Sequence, residues 1–241
     1  MNIIYNDKSV HIGSNISGDV IIVNGKVING DDSNSYRKFD EKKSKDCTNI
    51  DIITIYSTFA GINISSSDSS EAVAHVYGEG SIDGDINFNV SANGRELKIS
   101  LDMDNESFSG NLHFDVTIPK KIFNLISISS LSAKITLDDQ VSAKALKINS
   151  STGAVNSKAN AQNYNVTTVS GAIKLSINAK QDINANISST TGAVTAELIN
   201  ISHANLLASS VFGKVMNYHK GTTGYTASIN VSTMSGRITI H

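Results

Sequence analysis

The chain has one cysteine, one proline and no tryptophan among its 241 residues. A single thiol, Cys47, cannot close an intrachain disulfide, so a disulfide-stapled scaffold is excluded. No run approaches the ~20 consecutive apolar residues that a membrane-spanning helix needs, so no transmembrane segment is expected. The start, Met1-Asn2-Ile3-Ile4-Tyr5, lacks a basic stretch leading into a long apolar one, so no secretory signal is read there. A cytoplasmic setting is expected if Met1 is the native start, and a cell-surface or secreted one if an export segment was removed. Charge of one sign is also missing. Lysine and arginine number 20 against 22 acids, net −2, with most lysines scattered. A nucleic-acid partner would call for a basic footprint, so none is expected.

Concentrated chemistry is equally sparse. The six histidines, His11, His75, His113, His203, His219 and His241, show no i, i+4 zinc pattern. No Gly-x-Ser-x-Gly elbow and no phosphate-cradling glycine loop occurs. Asp83-Gly84-Asp85 and Asp102-Met103-Asp104-Asn105-Glu106 gather oxygen ligands, and weak ion sites at Asp83/Asp85 or Asp102/Asp104 stay open. Neither matches a calcium-loop spacing, and solvated turn acids are the simpler reading. From residue 125 onward the acids are Asp138, Asp139, Asp182 and Glu197, few for a paired-carboxylate glycosidase. No catalytic residue, cofactor or metal ligand is assigned.

What the chain does have is a repeat. Take Ala133, Gly153, Gly171, Gly192, Gly213 and Gly236 as position zero; the spacings are 20, 18, 21, 21 and 23 residues. At minus three stand Ser130, Ser150, Thr168, Ser189, Ser210 and Thr233. At plus two stand Ile135, Val155, Ile173, Val194, Val215 and Ile238. Apolar residues recur at minus seven and minus five, and share a strand face with minus three because strand side chains alternate. Each unit reads as strand, glycine corner, strand and polar turn. One unit cannot bury its stripe alone, so stacking about 4.8 Å apart is expected. The unit centred on Gly213 departs at plus four, where Asn217 replaces an apolar or small residue.

The expected fold is therefore all-β: a parallel β-helix or β-solenoid, right-handed by analogy with crossover preference. It has about six C-terminal rungs of roughly 20 residues and a β-rich N-terminal part. The rival is an antiparallel sandwich, which also spaces short strands evenly. The chain divides into N-terminal strands at 1–30, a polar charged loop at 31–49, a β-rich first half of the solenoid at 50–124 and the six repeats at 125–241. Residues 50–241 also read as one continuous domain. Gly153, Gly171, Gly192, Gly213 and Gly236 are read as structural turns that need the small residue. Phe212, Tyr218 and Tyr225 are candidate contact residues, because exposed aromatics mark interaction surfaces.

The segments Ser-Thr-Gly-Ala-Val at 151–155, Val-Ser-Gly-Ala-Ile at 169–173, Thr-Thr-Gly-Ala-Val at 190–194 and Met-Ser-Gly-Arg-Ile at 234–238 resemble the bacterial "putative adhesin" families. So does Phe114-Asp115-Val116-Thr117-Ile118-Pro119, a strand closed by proline before the repeats. The resemblance covers most of 50–241. It implies a β-helical domain of unknown function with a cell-adhesion or protein-binding role, and it brings no catalytic motif. A non-enzymatic binding or structural module, with an unknown protein or glycan ligand, is the leading expectation. A carbohydrate-active β-helix enzyme and a unit self-assembling through its solenoid ends or edges, with the terminal rung Ile229–Ile240 as the open edge, are the alternatives.

Overall fold

Strict alternation of apolar and polar residues puts every second side chain on one face of a strand, and two such faces must meet to exclude water. The computed structural model, which describes residues 20–23, 26–29, 35–83, 85–103, 107–221 and 223–241, shows this result. Among the described residues there is no helix. Two largely parallel sheets of nine and ten strands lie face to face in the manner of a β-solenoid. A separate antiparallel pair joins β1 (Val20–Val23) to β2 (Lys26–Asn29). The rest of the stretch 1–30, expected to form strands, lies outside the described residues.

Each repeat contributes one strand to each sheet. The nine-stranded sheet takes the longer strands β4 (Ile52–Ser57), β10 (Ile122–Ser130), β12 (Ser142–Ser150), β14 (Asn160–Thr168), β16 (Ile183–Ser189), β18 (Ile201–Ser210) and β20 (Tyr225–Thr233). Their partners after the corner, in the other sheet, are β5 (Gly61–Ser67), β11 (Ile135–Leu137), β13 (Val155–Ser157), β15 (Ile173–Asn178), β17 (Val194–Ile199), β19 (Val215–Asn217) and β21 (Ile238–Ile240). Register aligns like with like: Ile126 pairs with Leu146, and Ile128 with Ile148 and Ile55. Tyr164, the largest residue at minus seven, stands beside Ala185, so one column holds a ring without overpacking. Ile55, Ile128, Ile148, Val166, Ile187 and Val231 form a column 0–1% exposed. Each such side chain contributes roughly 1.5–3 kcal/mol on burial.

The tiers do not follow chain order at either end. After β16 the nine-stranded sheet continues with β20 and only then β18; the other sheet continues from β17 to β21 and then β19. The unit of Gly213 is thus outermost, and the last unit in sequence is inserted beneath it. The expectation that the edge left open would be the segment Ile229–Ile240 is corrected. Ile229, Val231, Ile238 and Ile240 are at most 1% exposed, and the open edges are β18 and β19.

At the other end, β4 and β5 lie inside β8 (Glu96–Met103) and β9 (Ser107–Pro119). Antiparallel strands finish this end: β7 (Ile86–Asn93) on β8, β6 (Glu71–Asp83) on β9, and β3 (Ser35–Asp46) on β6. Asn93 pairs with Glu96, so Gly94 is the first central residue of the turn, at φ 57°. A positive φ at that position suits glycine and a primed hairpin turn.

Within the loop expected across 31–49, Ser35–Asp46 form the strand β3 instead. The low apolar content of Ser35–Asp46 misled because the strand lies at a sheet edge. There its backbone pairs along its whole length with β6, while Arg37, Lys38, Asp40, Glu41, Lys42, Lys43, Lys45 and Asp46 line an edge that charge protects from further pairing. Cys47, which follows, is 1% exposed rather than lying in a surface loop, and burial pushes its thiol pKa up.

Candidate functional site

The corner is the structure's most repeated polar device. The hydroxyl at minus three turns back on its own loop. It accepts the position-zero N–H at Ala133 (2.9 Å), Gly171 (3.0 Å), Gly192 (2.8 Å), Gly213 (2.9 Å) and Gly236 (3.0 Å). The hydroxyl also donates to a nearby carbonyl: Ser150 to Gly153 (2.9 Å) and Ser210 to Gly236 (3.0 Å), both at position zero, and Thr168 to Ser151 (3.4 Å). Where both bonds form, as at Ser130, Thr168, Ser189, Ser210 and Thr233, the hydroxyl is satisfied in both roles. A seventh corner, Ser57-Thr58-Phe59-Ala60, makes the same bonds: Ala60 N–H donates to Ser57 Oγ (3.1 Å), which donates to the Ala60 carbonyl (2.9 Å). Its sequence signal was Ser at minus three, Ala at zero and Ile62 at plus two.

The glycines are needed for a different reason from a positive φ. None of Gly153, Gly171, Gly192, Gly213 or Gly236 is in that region. A Cβ on Gly153 would collide with the Ala133 carbonyl, one on Gly171 with that of Gly153, and one on Gly192 with that of Gly171. The corners stack backbone on backbone, which leaves no room for a methyl.

The three candidate contact aromatics do not share a face. Phe212 protrudes at the glycine corner between β18 and β19, 80% exposed. Tyr218 and Tyr225 lie at the opposite corner, after β19 and at the start of β20, 58% and 44% exposed. Tyr218 stacks on His241 with ring centroids 5.5 Å apart. What surrounds them is the open end. On β20 the inward Ala227, Ile229 and Val231 are buried, whereas their counterparts Ala204, Leu206 and Ala208 on β18 are only partly covered. Neither β18 nor β19 carries an acid, lysine or arginine. Asn217 at plus four is tolerated here because no further tier covers it.

The acids have structural duties. Asp138 Oδ1 accepts the N–H groups of Gln140 (3.0 Å) and Val141 (3.1 Å). Asp182 Oδ1 accepts Thr226 N–H (3.0 Å) and its hydroxyl (2.8 Å), which lowers its pKa. Asp51 pairs with Arg95. On the outer face of β6 and β9, Tyr77 donates to Asp115 (3.0 Å) and stacks between His75 and His113, and His75 meets Asp40 at 2.8 Å. Among the described residues no three His, Cys, Asp or Glu side chains converge to hold a metal ion. The side chain of Asp83 and the whole of Asp104 lie outside the described residues. Among the described residues are two shallow depressions, about 430 Å³ beside Phe59, Phe108 and Leu112 and about 260 Å³ among Asn163, Asn165, Asn184 and Asn186.

The sequence profile of the Toastrack DUF4097 family matches residues 50–240, from the first core strand to the last. The chain belongs to that family. Solved structures are similar to this chain at low identity. A "putative cell adhesion protein" from Clostridium sporogenes is 17% identical, with 85% of this chain and 99% of that one covered at a TM-score of 0.56. A "putative adhesin" from Bacteroides fragilis is 17% identical, with 85% and 98% covered at 0.46. A "putative lipid binding protein" from Parabacteroides distasonis is 14% identical, with 82% and 96% covered at 0.34. A search of curated proteins finds no match. No helix among the described residues is long and apolar enough to cross a membrane.

Proposed function

We propose that this Toastrack domain is a non-enzymatic, adhesin-like binding module whose contact surface is the open end of its solenoid. The observation that carries the reading is the contrast between its two ends. Strand β3 ends one sheet with a charged, protected edge, and β7, uncharged itself, ends the other with Phe88 buried and Lys43 of β3 lying over its ring; β18 and β19 end both sheets with uncharged edges and half-covered apolar side chains. An edge strand offers a row of backbone donors and acceptors to any extended polypeptide, and the flanking side chains add selectivity. Tyr218 and Tyr225 rim this end and would contribute contact area. The adhesion name of the Clostridium sporogenes protein agrees with this class of function. The ligand is a protein strand, and a second copy of the chain meets the same chemical requirement.

The test is adhesion of beads coated with the purified domain to protein-coated and glycan-coated surfaces. Wild type is expected to adhere to protein surfaces, and Leu206→Lys, which places a charge in the open edge, to lose most of that adhesion while keeping its circular dichroism spectrum. Adhesion unchanged by Leu206→Lys, or turnover of a polysaccharide by the folded chain, refutes the reading.

A further inference from the structure

We propose that the glycine corner forms a docking ridge for an anionic lipid surface, with Val211 and Phe212 as its inserting tip. Val211 is 71% exposed and Phe212 80%, and Met234 of the tier beneath is 48% exposed. Lys214 and Arg237 stand at plus one of the same two corners, both exposed and neither ion-paired among the described residues. Farther along the ridge the pattern repeats with Leu131 and Val169, 56% and 55% exposed, and with Lys134. Across the six corners, from minus three to plus one, there are three bases and no acid, although the chain as a whole is −2. The opposite turns hold Asp138, Asp139 and Asp182 but also Lys158, Lys180 and Lys220, so their charges balance and the excess of bases is confined to the glycine corner.

The shape decides between occupants. These side chains project from a convex edge, and neither depression described above includes Val211, Phe212 or Met234. A convex apolar tip with bases beside it suits a deformable headgroup layer, where the ring enters the acyl boundary and the bases reach lipid phosphates. Six tiers make the ridge about 24 Å long. It is also rigid before contact: Phe212 N–H donates to the Met234 carbonyl (2.8 Å), and Ser210 fixes the corner through Gly213 N–H and the Gly236 carbonyl. Little ordering entropy is then lost on docking.

The experiment is co-sedimentation with vesicles of phosphatidylcholine alone and of phosphatidylcholine with phosphatidylglycerol, at low and high salt. Wild type is expected to bind the mixed vesicles, to ignore phosphatidylcholine alone and to release in salt. Phe212→Ser is expected to weaken binding about tenfold, and the double variant Lys214→Glu/Arg237→Glu to weaken it by about tenfold or more, since each base near an anionic surface is worth roughly fivefold. All three positions are exposed, so thermal melts should match wild type. Ile122→Ser, which removes an equally exposed apolar residue away from the ridge, leaves binding intact. Leu206→Lys does too, so failure of the open-end reading would show separately. No vesicle binding, equal binding to phosphatidylcholine alone, or indifference to both ridge variants overturns the proposal. So does self-association in the ultracentrifuge that the same variants abolish without vesicle binding, which would assign the ridge to a second copy.

Discussion

The carbonyl of Gly192 lies against Gly236, not against Gly213, although Gly213 is the next corner along the chain. Gly213 lies in turn against the Gly236 carbonyl. The chain leaves one tier empty, builds the outermost tier, and returns to fill the gap. Its last strands are thereby covered on both sides.

Methyl groups should therefore be poorly tolerated at stacked corners. Gly171→Ala and Gly236→Ala each place a Cβ against a backbone carbonyl that cannot swing away. A cost of about 1–3 kcal/mol is expected for each, the range for forced overpacking, and Gly171→Val should cost more. Urea midpoints indistinguishable from wild type would remove the close-stacking account.

The minus-three hydroxyl should matter as a pair of hydrogen bonds, not as a size. Ser189 accepts Gly192 N–H (2.8 Å) and reaches the Gly171 carbonyl (3.4 Å) while 5% exposed. Ser189→Ala leaves a buried N–H without that acceptor and should cost about 1–3 kcal/mol. Ser189→Thr should be close to neutral, because Thr168 and Thr233 already fill the position. Equal losses in both variants would show that volume, not bonding, sets the requirement.

Much of this architecture was legible in the chain. Spacing, the minus-seven and minus-five stripes and the plus-two residues gave the parallel, in-register tiers, because a stacked structure repeats its environment every turn. Three things were hidden. The corner at Ala60 is hard to see in the sequence because it precedes an antiparallel excursion rather than another repeat. The strand β3 looks like a loop in the sequence because an edge strand needs little apolar area. The tier order was hidden because equivalent corners are interchangeable to a pattern. Asn217 is nonetheless a sign: the small Ser157 fits the same position inside the stack, but a full amide there suits a tier with nothing above it. For the site, the sequence supplied Phe212, Tyr218 and Tyr225 but not their separation onto opposite corners, which depends on where each strand ends.

The inserted tier gives a direct contrast within one column. Ile229 and Leu206 are register partners, yet Ile229 is buried and Leu206 only partly covered. Ile229→Ala should cost about 2–5 kcal/mol, and Leu206→Ala roughly half that or less, since it gives up less buried area. Were the tiers in chain order, Leu206 would be the covered residue and the ranking would reverse. Denaturation midpoints of the two variants decide it.

Alkaline pH should loosen the core at one identifiable group. The Tyr164 hydroxyl accepts Ala161 N–H (2.8 Å) and donates to the Ala159 carbonyl (3.0 Å) in a buried site. Burial is the main cause that pushes its pKa up to about 12, from an ordinary value near 10. Between those values the unfolded chain has lost this proton and the folded one still holds it. Stability from the group is thus full below pH 10 and declines as pH rises towards 12, by on the order of 2–3 kcal/mol. Tyr164→Phe should flatten that part of the curve. It should also be less stable at neutral pH by about 1–3 kcal/mol, because Ala161 N–H loses its acceptor. Ultraviolet titration should show one phenol fewer ionising late in the variant. An unchanged alkaline decline in Tyr164→Phe would mean that the hydroxyl is not the group that fails.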